Sequence, residues 1–267
     1  MLPPGSCDTH VHFYHSGFPI APSAVLTPDD ATVADYRLLQ ERVGLERVVV
    51  VQPTTYGFDN SCQLQAMAQL GPRARGVMVV DSNVSEQQLA RLHGLGVRGI
   101  RFHMLPGGAL GWEKLEPLAR RVSDFDWHIQ LQLNGRELNA RLARLQRLPV
   151  PLVVDHVGRF MPPVQPDDEP FAALLTLLDT GRCWVKLSAP YESSGQGPPS
   201  FEDVGVLARA LVAHAPERML WASNWPHPGQ TSPPALGELL ELLYSWVDND
   251  CVRERILVDN PAQLYGF

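Results

Sequence analysis

The sequence lacks several features that would assign the protein to a membrane, a secreted or a nucleic-acid-binding class. It contains no apolar run of about eighteen residues, and no charged stretch near its beginning leads into an apolar one. Neither a membrane span nor a secretion signal is therefore predicted. It also lacks any basic run, and its formal net charge is -7, so nucleic acids and anionic membranes are poor partners. We expect a cytoplasmic protein.

Cysteine is scarce and its positions are scattered. The four cysteines are Cys7, Cys62, Cys183 and Cys251, and no two of them have the C-x-x-C spacing. These scattered positions support neither a disulfide framework nor a zinc knot. Cys7 and Cys183 lie in apolar, strand-like runs, which is typical of small buried thiols.

The length and composition favour one large folded domain. The 267 residues, 45% hydrophobic and 19% charged, provide enough apolar side chains for a sizeable core. We see no internal repeat and no linker, so we expect a single α/β domain over residues 1–267.

Short β-rich runs alternate with amphipathic segments along the whole chain. Several runs are apolar at consecutive positions, for example residues 48–51, as parallel strands covered on both faces require. The segments between them show helical patterns, such as leucines at positions 138, 142, 145 and 148 on one helical face. The eight predicted strands are residues 6–12, 47–52, 76–80, 99–103, 128–133, 152–156, 184–188 and 219–223.

This alternation predicts a (β/α)8 barrel built from right-handed βαβ units. The rival architecture is an open doubly wound sheet, which is less favoured because no Gly-x-Gly-x-x-Gly follows an early strand. Stretches rich in proline and glycine follow the strands and are predicted to be long βα-loops. They are residues 19–28, 105–111, 161–170, 193–199 and 226–234.

Polar residues stand at the end of each predicted strand. In such a barrel the carboxyl ends of the strands meet at one rim, where the site is expected. One polar residue in this position is usually structural, but a full ring of them is costly unless they are hydrogen-bonded or functional. The candidate site residues are His10, His12, Gln52, Thr55, Tyr56, Arg101, His103, Gln132, His156, Ser188, Tyr191, Asn224 and His227.

The histidines raise the question of a metal. His10 and His12 lie two apart on a strand and so project to the same face, and with His156 they could bind a divalent ion such as zinc. They could equally be hydrogen-bonded core residues, or polarise a substrate carbonyl. An anionic ligand is missing, because strand alternation turns Asp155 away from His156 and the last strand offers Asn224. We therefore favour no metal.

Other rim residues suggest recognition of an anionic substrate. A guanidinium at the depth of Arg101 needs an anionic partner, which favours a clamp on a substrate carboxylate over a surface ion pair. Tyr56 and Tyr191 are either hydrogen-bond donors or walls of the mouth. His227 is a candidate proton carrier. Alternation places Lys186 and Ser188 on one face, without assigning the lysine a role.

The ordered motifs resemble the amidohydrolase superfamily, in the branch that contains 2-pyrone-4,6-dicarboxylate lactonase, sugar-acid lactonases and galactarolactone isomerase. The resemblance covers the chain from Asp8 to the end. The motifs are Asp8-Thr-His10-Val-His12, Val154-Asp-His156-Val-Gly, Val185-Lys-Leu-Ser, Leu220-Trp-Ala-Ser-Asn224-Trp-Pro-His227 and Asp259-Asn-Pro-Ala-Gln-Leu-Tyr-Gly-Phe.

This resemblance implies a TIM-type barrel that acts on a small carboxylated lactone, often without a metal. It further implies that His10, His12 and His156 polarise the lactone carbonyl while arginines hold carboxylates. In the family, an aspartate on the last strand is the general base that activates water, and here Asn224 takes its place. An amide side chain has no useful basicity, so this chain departs from the pattern at the nucleophile.

Three enzymatic explanations of Asn224 stay open. The chain could carry an engineered acid-to-amide change, use another base such as His227 or His156, or be a lactone isomerase. In an isomerase, a hydroxyl of the substrate attacks the carbonyl at a high effective concentration. We expect hydrolytic ring opening, with isomerisation as the alternative and a substrate-binding pseudoenzyme as an alternative of another class.

The substrate itself is less constrained than the reaction. Gln52, Gln132, Asn134 and Ser188 are candidate partners for sugar hydroxyls. Only Arg101 is expected inside, with Glu192 at a rim position, and this tilts the expectation towards a hydroxylated lactone over a pyrone dicarboxylate. A homo-oligomer is compatible with the sequence.

Overall fold

The structure, a computed structural model, describes residues 2–267. Eight parallel strands in sequential order form one sheet, with helices between them, and the predicted (β/α)8 TIM barrel is confirmed. The strands are β1 (Cys7–Val11), β2 (Arg47–Val51), β3 (Ala74–Met78), β4 (Val97–His103), β5 (His128–Gln132), β6 (Leu152–Val154), β7 (Cys183–Leu187) and β8 (Met219–Trp221).

The helices follow the strands on the outside of the barrel. They are α1 (Val33–Val43), α2 (Ser61–Leu70), α3 (Glu86–Gly94), α4 (Leu115–Val122), α5 (Leu138–Gln146), α6 (Glu169–Asp179), α7 (Glu202–His214), α8 (Leu236–Trp246), α9 (Asp250–Glu254) and α10 (Asn260–Tyr265). Ser85 caps α3 in a capping box, because its side chain accepts a hydrogen bond from the Gln88 N–H. Within residues 2–267, the helices are too short or too polar to cross a membrane.

Backbone hydrogen bonds between β1 and the segment after β8 close the barrel. The Asn224 N–H donates to the His10 carbonyl at 3.0 Å, and the His12 N–H donates to the Trp225 carbonyl at 2.8 Å. The same bonds hold Asn224 beside His10 and His12. Closure and the placement of the candidate site are therefore one structural feature.

An irregularity in β1 decides which of its side chains face the interior. Asp8 pairs with Val48 and Val11 pairs with Val50, so β1 carries one extra residue at this point. Cys7 packs in the interior layer of the barrel, and His10, three residues later, also faces inward. The Asp8 carboxylate instead accepts hydrogen bonds from the hydroxyls of Ser223 and Tyr36. Strict alternation would have placed Cys7 and His10 on opposite faces.

A close contact at the floor of the barrel requires glycine at position 99. A Cβ atom at Gly99 would lie 2.6 Å from the ring of His128. His128 also meets the Tyr265 ring edge to face, with ring centroids 5.3 Å apart. The imidazole is thus enclosed by β4 and the C-terminal helix α10, and burial lowers the pKa of His128 to about 3.

His128→Phe is expected to make stability less sensitive to acid. Below the ordinary pKa of 6.5, the unfolded chain binds a proton at His128 that the folded chain refuses until about pH 3. This site therefore lowers the free energy of unfolding by about 1.4 kcal/mol per pH unit as the pH falls from 6.5. Urea unfolding at pH 7, 6 and 5 should show a shallower decline in the variant. An equal decline of the free energy of unfolding in the variant and the parent would contradict the lowered pKa of His128. His15→Phe, at an exposed histidine, is the control and should decline as the parent does.

Candidate active site

A cavity of about 260 Å³ lies at the carboxyl ends of the strands. Residues at or beyond the carboxyl ends of seven of the eight strands line it, so the polar side chains meet at the predicted rim. Its lining includes Tyr14, Leu26, Pro106 and Pro228 from the long loops. The charged and polar lining residues are His12, Thr55, Arg101, His103, Gln132, His156, Arg159, Glu192 and Asn224.

Arg101 is a buried cation whose partners are neutral. It donates to the Gln52 carbonyl at 2.8 Å and to Gln132 Oε1 at 2.7 Å, while its Nε has no hydrogen-bond partner. Within residues 2–267, its guanidinium forms no salt bridge. Burial lowers the pKa of Arg101, yet an arginine keeps its charge in a protein. A buried charge without a counter-ion leaves this part of the cavity suited to an anion.

A second arginine lies in the cavity wall, so the expectation that Arg101 alone is inside is wrong. Arg159 Nε donates to Glu192 Oε2 at 3.0 Å, and Gln132 Nε2 donates to the same oxygen at 3.2 Å. Gln132 Oε1 accepts from Arg101 and from His103 Nδ1. The strand pattern does not indicate Arg159, because this residue follows the end of β6 by five residues, in a turn where its φ is 49°.

Hydrogen bonds fix the protons on His10 in β1 and on His12, the residue that follows β1 by one position. His12 Nδ1 lies 2.7 Å from the Val51 carbonyl, which can only accept, so Nδ1 carries the hydrogen. Burial lowers the pKa of His12 to about 3, so the ring is neutral and its Nε2 is an acceptor. The donor at 3.2 Å from it must be His10 Nε2. The ring nitrogens of both histidines are therefore hydrogen-bonded to each other or to other groups of the protein.

His10 lies beneath the cavity, in a buried cluster with Lys186, Asp155 and Gln130. Lys186 Nζ donates to the Thr9 carbonyl at 2.8 Å and to Gln130 Oε1 at 2.7 Å, and lies 3.3 Å from His10 Nδ1. Its distance to Asp155 Oδ1 is 3.6 Å. Burial lowers the pKa of Lys186 to about 8, while the neighbouring carboxylate opposes that shift.

The predicted separation of Asp155 from His156 is wrong. Asp155 Oδ1 lies 3.4 Å from His10 Nδ1, inside the barrel, and a ring nitrogen of His156 lies within 4.8 Å, although alternation had placed Asp155 and His156 on opposite faces. The reason is that β6 ends at Val154, and the chain then enters a turn in which His156 and Val157 have φ values of 56° and 55°. Alternation holds only within a strand, and both residues lie beyond it.

Within residues 2–267, one group of potential metal ligands lies close together, and it contains Asp155 in place of the predicted His12. His10, Asp155 and His156 each bring one ligand atom to within 4.8 Å of the others. The chemistry of this donor set fits a divalent ion poorly, because Lys186 Nζ lies 3.6 Å from Asp155 Oδ1 and 3.3 Å from His10 Nδ1. Asp155 is the only carboxylate of the group, and the buried ammonium of Lys186 already lies next to it. A metal ion bound there would be repelled by this ammonium. The residues present therefore do not fit a divalent metal.

Asn224 is held by its amide nitrogen, so its oxygen is the atom left for the cavity. Asn224 Nδ2 donates to the Tyr191 hydroxyl at 3.0 Å, and this hydroxyl lies 2.9 Å from His227 Nδ1. Having accepted from the amide, Tyr191 can donate its own hydrogen to His227. Burial lowers the pKa of His227 to about 4, and its acceptor nitrogen already has a donor. Both properties make His227 a poor base at neutral pH.

The predicted site residues thus separate into three groups. Thr55, Arg101, His103, Gln132, His12, His156 and Asn224 line the cavity. His10, Ser188, Tyr191 and His227 contact those residues from behind, with Ser188 Oγ 2.8 Å from His156 Nδ1. Gln52 and Tyr56 point elsewhere: the Gln52 amide donates to the carbonyls of Gly57 and Asp59, and the Tyr56 hydroxyl donates to the His15 carbonyl.

Tyr14 and Arg159 line the cavity and Gln130 supports it, and none of the three was predicted from the sequence. Glu192 was expected at the rim and lines the cavity, while Asp155 and Lys186, named without a site role, lie beneath it. Tyr14 follows the His-x-His motif by two residues, and this proximity was the available signal. Gln130 lies in β5 two residues before Gln132, on the same face, so alternation could have placed it below the rim. No periodic signal exists for Arg159.

Comparison with known proteins agrees with this geometry. The protein-family model described as Amidohydrolase matches residues 7–267. The chain is 35% identical to the D-galactarolactone isomerase of Agrobacterium fabrum over 269 residues, 99% of this chain and 92% of that protein. It is 34% identical to the 2-pyrone-4,6-dicarboxylate hydrolase of Comamonas testosteroni over 277 residues, 99% of this chain and 91% of that protein.

A solved structure is similar over the same extent. The apo structure of an Agrobacterium tumefaciens protein, 35% identical in sequence, superposes with a TM-score of 0.94 and covers 99% of this chain and 97% of its own. The order of the motifs, the barrel and the full-length match agree with one another. The chain belongs to the amidohydrolase family, and it is an enzyme of that family.

Proposed function

We propose that the protein catalyses acyl transfer at the ring carbonyl of a small carboxylated lactone. Two observations support this substrate class. Arg101 is a buried cation that faces the cavity without a counter-ion, as a carboxylate clamp requires. Two relatives, at 35% and 34% identity, are named as a galactarolactone isomerase and a 4-sulfomuconolactone hydrolase. The cavity, about 260 Å³, suits a ligand of one small ring.

The nucleophile in this proposal is a hydroxyl group of the substrate, which makes the enzyme a lactone isomerase. The observation that carries it is the fixed amide of Asn224, whose oxygen can accept a hydrogen bond but cannot take a proton. The attacking hydroxyl forms a C–O bond to the carbonyl carbon, and the old ring C–O bond breaks. The proton of the attacking hydroxyl ends on the departing ring oxygen, so no water is consumed. A hydroxyl held in place gains the advantage of high effective concentration.

Neutral imidazoles lie beside the reacting carbonyl in this scheme, while Arg101 holds the carboxylate. Burial lowers the pKa of His156 well below its ordinary value, and Ser188 holds its Nδ1. When the serine hydroxyl donates to Nδ1, the hydrogen of His156 lies on Nε2 and can stabilise the developing oxyanion. His10 and His12 are hydrogen-bonded to each other, and the His10 ring packs against that of His156 and supports it.

We further propose that the reaction runs without a divalent metal, because Lys186 supplies the positive charge next to Asp155. Chelator-treated protein should retain its turnover and contain less than stoichiometric zinc by elemental analysis. Turnover that disappears on chelation and returns with added zinc would reject this part of the proposal.

Hydrolysis is the second candidate, and one observation favours it. Glu192 places a carboxylate in the cavity wall, where its Oε2 accepts from Gln132 and Arg159 while the carboxylate keeps further acceptor capacity. A carboxylate in that position could take a proton from water. The 2-pyrone-4,6-dicarboxylate relative is named as a hydrolase.

Proton NMR of a lactone panel separates these functions. The protein is incubated with pyrone dicarboxylate, aldarate 1,5-lactones and aldonolactones, and the products are followed over time. Conversion of one lactone ring size into another before free acid appears supports isomerisation. Direct formation of the open acid supports hydrolysis instead. Binding of these lactones with no turnover of any would favour a binding protein and reject both enzymatic proposals.

Arg101→Lys is expected to weaken catalysis selectively for carboxylated lactones. A lysine keeps the charge but loses the planar, two-pronged donor geometry, and a charged hydrogen bond contributes about 1.5–3 kcal/mol. We expect kcat/KM to fall about 30-fold for a carboxylated lactone, mainly through KM. A lactone without a carboxylate, turned over slowly by both proteins, is the control and should change little. An equal loss for both substrates would contradict the clamp.

A further inference from the structure

The charged groups around the cavity add up to one positive charge. Arg101 and Arg159 are cationic, and Glu192 is the anion between them in the wall. The three lining histidines are neutral: burial lowers the pKa of His12 and of His103 to about 3 and that of His156 well below its ordinary value. Lys186 and Asp155 lie below the cavity and offset each other.

Glu192 occupies the place where a second substrate anion would bind. Gln132 connects it to Arg101 through hydrogen bonds of 2.7 and 3.2 Å, so the two arginines and the carboxylate form one network. A first substrate carboxylate binds the guanidinium of Arg101, which has no counter-ion and an unpartnered Nε. A second would need Arg159, whose Nε is already 3.0 Å from Glu192 Oε2. It would therefore meet a fixed like charge, which is costly in a site of low dielectric.

We propose that Glu192 is a specificity-determining residue that limits the substrate to a single negative charge. The inference rests on the proposed function, and it narrows the substrates to lactones that carry one ionised acid group outside the neutral ring. A lactone whose second acid group is closed into the ring meets this condition. A pyrone dicarboxylate, with two free carboxylates, does not.

Binding of two inert rings tests the proposal without requiring turnover. Tetrahydrofuran-2-carboxylate carries one negative charge, and tetrahydrofuran-2,5-dicarboxylate carries two on the same ring. Calorimetric titration of the protein should show that the second carboxylate adds no affinity. In Glu192→Gln, whose amide oxygen can still accept from Gln132 and Arg159, the dianion should bind about tenfold tighter and the monoanion about threefold tighter.

Glu116→Gln is the matched control. Glu116 also pairs with an arginine, Arg144, but between α4 and α5 on the outside of the barrel, and the substitution changes the net charge equally. Both affinities should stay as in the parent protein. Arg159→Gln shifts the cavity charge in the opposite direction and should weaken both ligands, the dianion more strongly.

The contradicting results are specific to this proposal. Parent protein that prefers the dianion by tenfold or more would overturn it, as would equal gains for both ligands in Glu192→Gln. Because the rings do not react, these outcomes are independent of the reaction. A single-charge preference in a protein that turns over none of the lactones would leave the proposal standing and reject the proposed function alone.

Discussion

Asn224→Asp is expected to create or strongly increase hydrolysis of the lactone that the parent protein isomerises. The new carboxylate would lie beside the reacting carbonyl, at the end of β8, and could remove a proton from water. General-base catalysis of this kind contributes about 10²–10⁴-fold to rate. We therefore expect the hydrolytic rate to rise by roughly that factor, as measured by proton NMR of the open acid.

The substitution suits the backbone and the surrounding contacts. Asn224 has a φ of 60°, in the left-handed region that asparagine and aspartate both tolerate, and the two side chains have the same shape. The Tyr191 hydroxyl, now an acceptor from the amide, can rotate to donate to a carboxylate. Asn224→Ala is the companion variant, and it should lose isomerisation without gaining hydrolysis. A folded Asn224→Asp protein with no added hydrolysis would show that this position does not face the attacking atom.

Lys186→Met is expected to destabilise the barrel by about 3–5 kcal/mol, the usual cost of stripping one partner from a buried ion pair. The ammonium lies 3.6 Å from Asp155 Oδ1 and donates to Gln130 and to the Thr9 carbonyl, all of them buried. Removing it leaves the carboxylate without a cation in the interior. Urea unfolding should show a correspondingly lower midpoint.

The stability lost in Lys186→Met should depend on the charge of Asp155. In the double variant Lys186→Met with Asp155→Asn, no uncompensated charge remains, so its stability should exceed that of either single variant. Lys114→Met, at a half-buried lysine outside the barrel interior, is the control and should stay within about 0.5 kcal/mol of the parent. Additive losses in the double variant would show that the ammonium and the carboxylate do not interact.

The barrel and the rim could be predicted because they depend on periodic signals. Apolar runs mark parallel strands, and proline-rich stretches mark loops, so the polar residues between them had to lie on one rim. This reasoning placed Arg101, Gln132 and Asn224 near one another, as the structure has them.

The contacts beyond the strand ends could not be predicted in the same way. Asp155 and Arg159 lie in a turn after β6, and Gln52 lies just after β2, where alternation no longer gives side-chain direction. The Gln52 amide donates to two backbone carbonyls of the following turn. The sequence does not show whether a polar residue at a strand end binds substrate or such a carbonyl. The extra residue in β1 likewise leaves no mark in the sequence pattern.

The most direct test of the central claim follows the oxygen atoms of the reaction. The protein is incubated with an aldarate 1,5-lactone in heavy-oxygen water, and the products are analysed by mass spectrometry at early times. If a substrate hydroxyl is the nucleophile, the rearranged lactone forms without any solvent oxygen, because the atoms exchanged all belong to the substrate. Open acid that appears first, with one solvent oxygen in its new carboxylate, would contradict the account.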